Sequence, residues 1–283
     1  MTAIAVICAG TIGRGLALDL AMHGHDVLLN DVDQETLRRA LEAIRSELRS
    51  YRLLVEEYRE ADEDALLGRI TLAPGVKDLA QAEFVIENIV EDYTTKARLY
   101  EELKTACDAR TIYGVNTSCI SITKLARHVA DPSRMIGMHF MNPVPVKKFV
   151  EMIRGEHTAE QTIETATALV KQLGKDYVLV KDAPGFVSNR VMMLAVNECA
   201  FVVQDEVATP ADVDKVFRQA FGHSMGPLAT ADLIGIDTVL NSIMVLFEEY
   251  RDSKYRPCPL LQKMVDAGDL GRKSGRGFFK YTR

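Results

Sequence analysis

The chain begins with a pattern that predicts a strand, a tight turn and a helix. An apolar run from Ala3 to Ile7 is followed by Cys8-Ala9-Gly10-Thr11-Ile12-Gly13 and then by an amphipathic run from Leu16 to Met22. Small residues in such a turn let backbone N–H groups approach a pyrophosphate, and the positive end of the helix dipole faces the anion. The usual pattern is G-x-G-x-x-G, and Cys8 replaces its first glycine. The residues expected to line a dinucleotide are Gly10, Thr11, Ile12 and Gly13.

The next apolar run extends this corner into a β-α-β unit. Gly24 ends the predicted helix, and Val27-Leu28-Leu29 follows as a short strand that closes at Asp31. An acidic side chain at this place accepts hydrogen bonds from the adenine ribose hydroxyls and repels a 2′-phosphate, so Asp31 favours NAD over NADP. The alternative interpretation is that Asp31 caps the next helix, since Asp33 and Glu35 follow it.

Short apolar runs continue to alternate with helical patterns and predict an α/β fold. Because repeated β-α-β units build a parallel sheet with helices on both faces, we expect a Rossmann-type doubly wound sheet. Its further strands are predicted at Ile70–Leu72, Phe84–Asn88, Ile112–Asn116, Met135–Phe140, Phe149–Ile153 and Tyr177–Val180.

Asp182-Ala183-Pro184-Gly185 is the predicted boundary between two domains. We expect an NAD-binding domain over residues 1–183, an all-helical C-terminal domain over residues 184–283, and a substrate cleft between them. The apolar content of the helical domain also predicts a symmetric homodimer. Beyond the boundary no strand pattern recurs, and helices are predicted at Phe186–Phe201, Asp212–Phe221, Asp237–Glu249 and Leu260–Ala267.

One long segment of the first domain stands apart by its charge. From Gln34 to about Leu67 the pattern is helical and rich in charged residues, and the stretch from Glu56 to Asp64 is strongly acidic. A polar face of this kind is typical of a solvated helix. We therefore expect an exposed helical pair near residues 35–67 that projects from the sheet.

Charge and cysteine content exclude several functional classes. The net charge is −6 and no run of five or more basic residues occurs, which argues against a general nucleic-acid binder. No apolar stretch reaches about 18 residues, and no leader pattern precedes the first strand, so we expect a cytoplasmic protein without a membrane span. The five cysteines include no C-x-x-C pair and no cluster with metal-ligand spacing, which favours reduced thiols and no metal site.

Polar residues follow two of the predicted strands. Asn116-Thr117-Ser118 comes at the carboxyl end of one strand, and His139 lies near the end of the next, before Asn142-Pro143. Open α/β sheets bind ligands at this edge, so these residues are candidate site residues. Two structural alternatives remain open at this point: His139 is a hydrogen-bonded structural histidine, or Ser118 caps the following helix.

Five ordered motifs make the chain resemble the 3-hydroxyacyl-CoA dehydrogenase family, especially its short bacterial 3-hydroxybutyryl-CoA dehydrogenases. The resemblance spans nearly the whole chain. Its motifs are Asn116-Thr117-Ser118, His139-Phe140-Met141-Asn142-Pro143-Val144-Pro145, Pro184-Gly185-Phe186-Val187-Ser188-Asn189-Arg190, Met225-Gly226-Pro227-Leu228 and Gly271-Arg272-Lys273-Ser274-Gly275-Arg276-Gly277-Phe278.

The resemblance implies NAD-dependent oxidation of a 3-hydroxyacyl thioester. The family's catalytic histidine falls on His139, and the glutamate that pairs with it falls on Glu151. Neutral imidazole can take the hydroxyl proton as hydride leaves, and a carboxylate on the far ring nitrogen holds the tautomer. The positions implied to orient the substrate are Ser118, Asn142 and Asn189, of which Ser118 and Asn189 are also catalytic, with domain closure completing the site. Those implied to contact the dinucleotide are Glu91, Lys96 and Asn116.

The acyl carrier is left open by one departure from the family. Relatives that use CoA carry a lysine-rich K-x-G-K turn, where this chain has Val55-Glu56-Glu57. Some branches of the family act on hydroxyacyl groups, such as glyceryl, held by an acyl carrier protein in polyketide extender-unit pathways. Carrier proteins are acidic, and Arg45, Arg49 and Arg52 at helical spacing offer a basic patch for one. The carrier is therefore CoA or an acyl carrier protein, and the remaining alternatives are a sugar-acid dehydrogenase and a non-catalytic NAD-binding protein.

Overall fold

The computed structural model describes residues 3–281, which form two compact units, the first up to Ala183 and the second from Pro184. The first unit contains all eight strands found in the described residues, and the second is helical. The Rossmann-type sheet and the helical C-terminal part that the sequence predicts are thereby confirmed.

The first unit is built on one eight-stranded sheet. The strands are β1 (Ile4–Ile7), β2 (Val27–Asn30), β3 (Ile70–Ala73), β4 (Phe84–Glu87), β5 (Ile112–Val115), β6 (Met135–Phe140), β7 (Phe149–Arg154) and β8 (Asp176–Lys181). Their order across the sheet is β3-β2-β1-β4-β5-β6-β7-β8. Strands β2 and β3 are added on one side of β1, and β4 and the later strands are added on its other side. Such sheets bind ligands at the point between β1 and β4 where the strand order reverses.

The helices cover the sheet and build the second unit. Those of the first unit are α1 (Thr11–Met22), α2 (Gln34–Leu54), α3 (Glu63–Leu67), α4 (Tyr93–Ala106), α5 (Ile122–Leu125) and α6 (Glu160–Gln172). Those of the second unit are α7 (Ser188–Gln204), α8 (Pro210–Ala220), α9 (Pro227–Ile234), α10 (Ile236–Tyr250) and α11 (Pro259–Asp266). The sequence patterns predict all of the second unit's helices except α9. No single helix in residues 3–281 is long and apolar enough to cross a membrane, and one bent pair, α9 with α10, meets that test by length and composition only.

Strand direction changes once, between β6 and β7. Strands β1 to β6 run parallel, β7 is antiparallel to β6, and β8 is parallel to β7. The register of the antiparallel pair sets His139 directly opposite Glu151. Side chains opposite each other on neighbouring strands lie on the same face about 5 Å apart, so this register brings the histidine and the carboxylate together.

The charged segment after β2 differs from the expected exposed pair. It forms one long helix, α2, then a 3₁₀ turn at Glu56–Tyr58 and the five-residue α3. Leu37, Ile44 and Leu48 of α2 are fully buried in the main core of the first unit. These apolar residues recur at helical spacing among the charges, so α2 packs on α1 with one face while its other faces carry the charge.

Helix α9 of the second unit depends on a buried carboxylate. Asp214 accepts hydrogen bonds from the backbone N–H groups of Leu228 at 2.9 Å and Ala229 at 2.9 Å, and it is 4% exposed. Gly226 lies against this carboxylate, since a Cβ there would be 2.1 Å from the Asp214 Cγ. The Met225–Leu228 motif thus forms the N-terminus of α9, which Asp214 of α8 caps.

Replacing Asp214 with alanine tests this capping. Two buried N–H groups lose a charged acceptor, so the free energy of unfolding should fall by about 2–3 kcal/mol. Asp212→Ala is the matched control, because Asp212 lies in the same helix but is exposed and its side chain accepts the hydroxyl of neighbouring Thr209. Urea unfolding of both variants measures the difference, and equal losses would contradict the assigned role of Asp214.

Candidate functional site

The turn between β1 and α1 has the tight geometry that the sequence predicts. A Cβ on Gly13 would lie 1.7 Å from the carbonyl oxygen of Cys8, so only glycine fits there. Gly10 precedes α1 and provides no side-chain cap for the helix. Because the first N–H groups of a helix have no partner within it, the start of α1 at Thr11 and Ile12 can donate to an anion. This arrangement fits the pyrophosphate of a dinucleotide.

Cys8 is the unusual residue of this turn. Its φ is +74°, a left-handed conformation that favours glycine, and its N–H donates to the Asn30 carbonyl at 2.9 Å. Burial raises the pKa of its thiol, so the neutral thiol predominates at neutral pH. Cysteine therefore occupies the place of the first glycine at the cost of backbone strain.

Asp31 lies at the end of β2, beside this turn. Its Oδ2 accepts the Ala9 N–H at 2.7 Å and its Oδ1 accepts the Val32 N–H at 2.7 Å. Each carboxylate oxygen has a second lone pair, which leaves capacity for a ribose hydroxyl. The cap of α2 is Asp33, which accepts the Thr36 N–H at 2.8 Å, so the structure does not support a capping role for Asp31.

Glu91 organises the loop that follows β5. Its Oε1 accepts hydrogen bonds from the Thr117 hydroxyl at 2.6 Å, the Ser118 N–H at 2.7 Å and the Cys119 N–H at 2.9 Å. A charged acceptor with three donors holds a loop more firmly than neutral hydrogen bonds would. Glu91, predicted as a dinucleotide contact, thus also fixes the backbone that carries Ser118.

Lys96 is fully buried, and its ammonium has protein acceptors. Its Nζ donates to the Glu87 Oε1 at 2.6 Å, to the Asn116 carbonyl at 3.1 Å and to the Ile89 carbonyl at 3.4 Å, and both charged side chains are 0% exposed. Burial raises the pKa of Glu87, while Lys96 opposes that shift. These hydrogen bonds hold the ends of β4 and β5 together, and the contact of Lys96 with the dinucleotide that the resemblance implies stays a prediction. Tyr100, which donates to the Glu87 Oε2 at 3.1 Å, completes the network.

Asn116 joins the ends of three neighbouring strands. Its Nδ2 donates to the Asn88 Oδ1 at 2.9 Å, and its Oδ1 accepts the Phe140 N–H at 3.1 Å. Asn88 follows β4, Asn116 follows β5, and Phe140 ends β6. The side chain is half-buried, so it holds the strand ends together at the edge where a ligand is expected.

His139 has a hydroxyl on one ring nitrogen and a carboxylate on the other. Its Nε2 lies 3.1 Å from the Ser118 Oγ, and its Nδ1 lies 3.1 Å from the Glu151 Oε2. Glu151 is 1% exposed and His139 is 9% exposed. A carboxylate at Nδ1 holds the proton on that nitrogen, which leaves Nε2 as the acceptor that faces Ser118. Chemically, this arrangement can exchange a proton with a ligand hydroxyl at Nε2.

The remaining predicted residues lie in different places. Asn142 is exposed in the turn that follows β6, and Asn189 is a half-buried residue in the first turn of α7, in the second unit. Ser118 is not the cap of α5, because Ser121 takes that role and accepts the Lys124 N–H at 3.2 Å. The structure thus brings Ser118, His139 and Glu151 together within one unit.

Three comparisons with known proteins indicate the same family. Residues 3–183 match the family described as "3-hydroxyacyl-CoA dehydrogenase, NAD binding domain", and residues 185–281 match "3-hydroxyacyl-CoA dehydrogenase, C-terminal domain". A relative from Bacillus subtilis, named "Probable 3-hydroxybutyryl-CoA dehydrogenase", is 42% identical over 278 residues, which are 98% of this chain and 96% of the relative. The 3-hydroxybutyryl-CoA dehydrogenase of Bradyrhizobium diazoefficiens is 41% identical over 98% of this chain and 94% of its own length. The crystal structure of (S)-3-hydroxybutyryl-CoA dehydrogenase from Ralstonia eutropha superposes with a TM-score of 0.94 at 39% identity and covers 100% of both chains.

Cys8→Gly tests the interpretation of this turn. The left-handed conformation costs a residue with a Cβ about 1–2 kcal/mol. The extra freedom of glycine in the unfolded chain removes about 0.5–1 kcal/mol of the gain. We expect the free energy of unfolding to rise by up to ~1 kcal/mol, with NADH affinity unchanged or higher. Thermal unfolding and fluorescence titration with NADH measure both.

Cys8→Ala is the matched control for this variant, because it removes the thiol and keeps the strained backbone. A large loss of NADH affinity in Cys8→Gly but not in Cys8→Ala would contradict the alignment of Cys8 with the first glycine of the G-x-G-x-x-G pattern.

Proposed function

The chain belongs to the 3-hydroxyacyl-CoA dehydrogenase family, and from this premise we propose that it oxidises the C3 hydroxyl of a 3-hydroxyacyl thioester with His139 as general base. It is an oxidoreductase that acts on a CH–OH group with NAD, as the resemblance of its motifs implies. The observation that carries the proposal is the relay from the half-buried Ser118 Oγ through the buried His139 ring to the buried Glu151 carboxylate.

The proposed chemistry uses each member of the relay once. NAD, held at the start of α1 and by Asp31, would supply the acceptor for the hydride that leaves C3. His139 takes the hydroxyl proton at Nε2, so a full positive charge does not develop on the substrate oxygen. Glu151 keeps Nδ1 protonated and stabilises the imidazolium that forms, and Ser118 orients the reacting oxygen with its hydroxyl. In the reverse direction the imidazolium returns the proton to the keto oxygen.

The proposed cofactor contacts follow the switch point of the sheet. The start of α1 supplies backbone donors for the pyrophosphate, and Asp31 supplies acceptors for the adenine ribose. Glu91 and Asn116 hold the strand ends beside which the nicotinamide would lie. The Lys96 ammonium donates a hydrogen bond to the Asn116 carbonyl and so holds this residue in place. Asn142 and Asn189 are proposed to contact the acyl substrate.

CoA is the carrier that the relatives support. The relatives described above are named for 3-hydroxybutyryl-CoA, which favours a short acyl chain on CoA over a free sugar acid. Membership of an enzyme family, together with the complete relay, sets aside the alternative of a non-catalytic NAD-binding protein.

A second candidate is a hydroxyacyl group on an acyl carrier protein, and one surface favours it. Glu56 and Glu57 are exposed, and Glu57 pairs with Lys148 at 2.6 Å, which holds the pKa of its carboxyl below the usual value. Negative charge there repels the phosphates of CoA. Arg45 and Arg49 are exposed on α2 and could meet an acidic carrier protein.

The second unit is also proposed to form a homodimer. Several large apolar side chains are exposed on its helices, an arrangement typical of interfaces when they are contiguous. They include Val187, Val191, Met192, Val216, Phe221, Leu233 and Met244. Light scattering measures the mass in solution, and a monomer at micromolar concentration would contradict this proposal.

His139→Gln tests the proposed base against a built-in control. Loss of a general base should lower kcat for acetoacetyl-CoA reduction by NADH by about 10²–10⁴-fold. The control is His128→Gln, because His128 also lies between a hydroxyl and a carboxylate, with the Tyr93 OH at 3.0 Å and the Glu101 Oε1 at 2.9 Å. We expect His128→Gln to leave kcat unchanged. Full turnover in His139→Gln would refute the assignment.

The carrier is tested by comparing two substrates. NADH oxidation with acetoacetyl-CoA is measured beside NAD reduction with glyceryl bound to an acyl carrier protein. We expect the higher kcat/KM with the CoA thioester. The second candidate replaces the first if the carrier-protein thioester has the higher kcat/KM and if Arg45→Glu with Arg49→Glu lowers kcat/KM for that thioester but not for the CoA thioester.

A further inference from the structure

A buried ion pair lies away from the relay and joins two distant parts of the first unit. Asp19 is in the third turn of α1, and Lys175 lies between α6 and β8. The Lys175 Nζ is 2.9 Å from the Asp19 Oδ2, and both side chains are 0% exposed. The proposed chemistry uses neither residue, so the presence of two charges in the core needs another explanation.

The ammonium of Lys175 also holds the turn between β6 and β7. It donates to the Val144 carbonyl at 2.7 Å and to the Lys147 carbonyl at 3.0 Å. These two oxygens belong to the connection between the strand that carries His139 and the strand that carries Glu151. Two hydrogen bonds to carbonyls and one ion pair around the same ammonium fix the turn relative to the core.

The same pair ties this turn to the helix that begins the dinucleotide site. The turn touches α1 directly, since a Cβ on Gly15 would lie 3.3 Å from the Pro145 Cδ and 3.4 Å from the Val144 Cβ. On its other side, the Asp19 Oδ1 accepts the hydroxyl of buried Tyr58 at 2.8 Å. The proton of Tyr58 stays in place, because burial and the Asp19 charge raise the pKa of its hydroxyl.

Stability alone is a poor reason for such a pair. Taking two charges out of water costs several kcal/mol per ion, and apolar replacements of similar size are often as stable. A buried ion pair does favour one conformation of the segments that carry its two charges, because moving either partner leaves the other charge uncompensated. Lys175 thereby selects one conformation of the β6–β7 turn. The geometry of a turn fixes the register of the two strands that it joins.

We propose that Lys175 is a positioning residue for hydride transfer. It holds the β6–β7 turn against α1 through Asp19, so that His139 stays opposite Glu151 and at a constant distance from the bound dinucleotide. This inference rests on the proposed function, because it gives Lys175 its effect through His139. A displacement of about 1 Å in a catalytic group costs on the order of a hundredfold in rate, so small shifts of the turn are measurable.

The test removes both charges together. Lys175→Met with Asp19→Asn leaves no unpaired charge in the core, and the amide oxygen that replaces the carboxylate can still accept the Tyr58 hydroxyl. Tyr58→Phe is the matched control, because it removes a hydrogen bond from the same carboxylate and leaves the turn bonded to Lys175. Each variant, loaded with NADH, is mixed with saturating acetoacetyl-CoA, and a single turnover is followed by NADH absorbance.

The rate constant and the amplitude separate positioning from folding. We expect the double variant to transfer hydride about tenfold more slowly with full amplitude, while Tyr58→Phe keeps the rate of the unchanged protein. A merely structural role predicts a lower amplitude or melting temperature with an unchanged rate constant in the folded fraction. That result would overturn the proposal.

His139→Gln in the same assay separates this inference from the proposed function. If His139→Gln is slow and the double variant is as fast as the unchanged protein, only the role of Lys175 is wrong. If His139→Gln itself transfers hydride at the full rate, the proposed function fails, and the inference fails with it.

Discussion

The antiparallel pairing of β6 with β7 is the constraint on which the site depends. Six parallel strands bring polar residues to one edge of the sheet, but parallel strands alone do not pair a histidine with a carboxylate. The reversal at residues 141–148 brings the chain back beside β6, and the register sets Glu151 across from His139. Because both residues are buried in a sheet, the hydrogen bond at 3.1 Å is held by backbone pairing rather than by flexible loops.

Two buried ion pairs hold the main chain at this edge of the sheet in place. Glu87 and Lys96 lie under the ends of β4 and β5, and Asp19 and Lys175 lie under the β6–β7 turn. In both pairs the ammonium also donates to backbone carbonyls, so each pair fixes main chain as well as charge. A site whose loops are held by buried ion pairs is preorganised, which is what hydride and proton transfer over short distances require.

Much of the architecture follows from sequence patterns, and the site follows from motifs. Apolar runs predict the strands of the sheet within one or two residues, and the family resemblance implies the pairing of His139 with Glu151. The buried charges are harder to predict, because Asp19, Lys96 and Lys175 have the same letters as surface charges and no local pattern marks their burial. Leu37, Ile44 and Leu48 have the helical spacing that marks α2 as a core helix, but the surrounding charges favour an exposed interpretation.

A crystal structure of the protein with NAD and acetoacetyl-CoA would test directly whether His139 exchanges a proton with the oxygen on C3 of the acyl chain. We expect this oxygen to lie within about 3 Å of the His139 Nε2, on the side of the ring that faces Ser118. An acyl chain bound with its C3 oxygen out of reach of His139 would contradict this expectation.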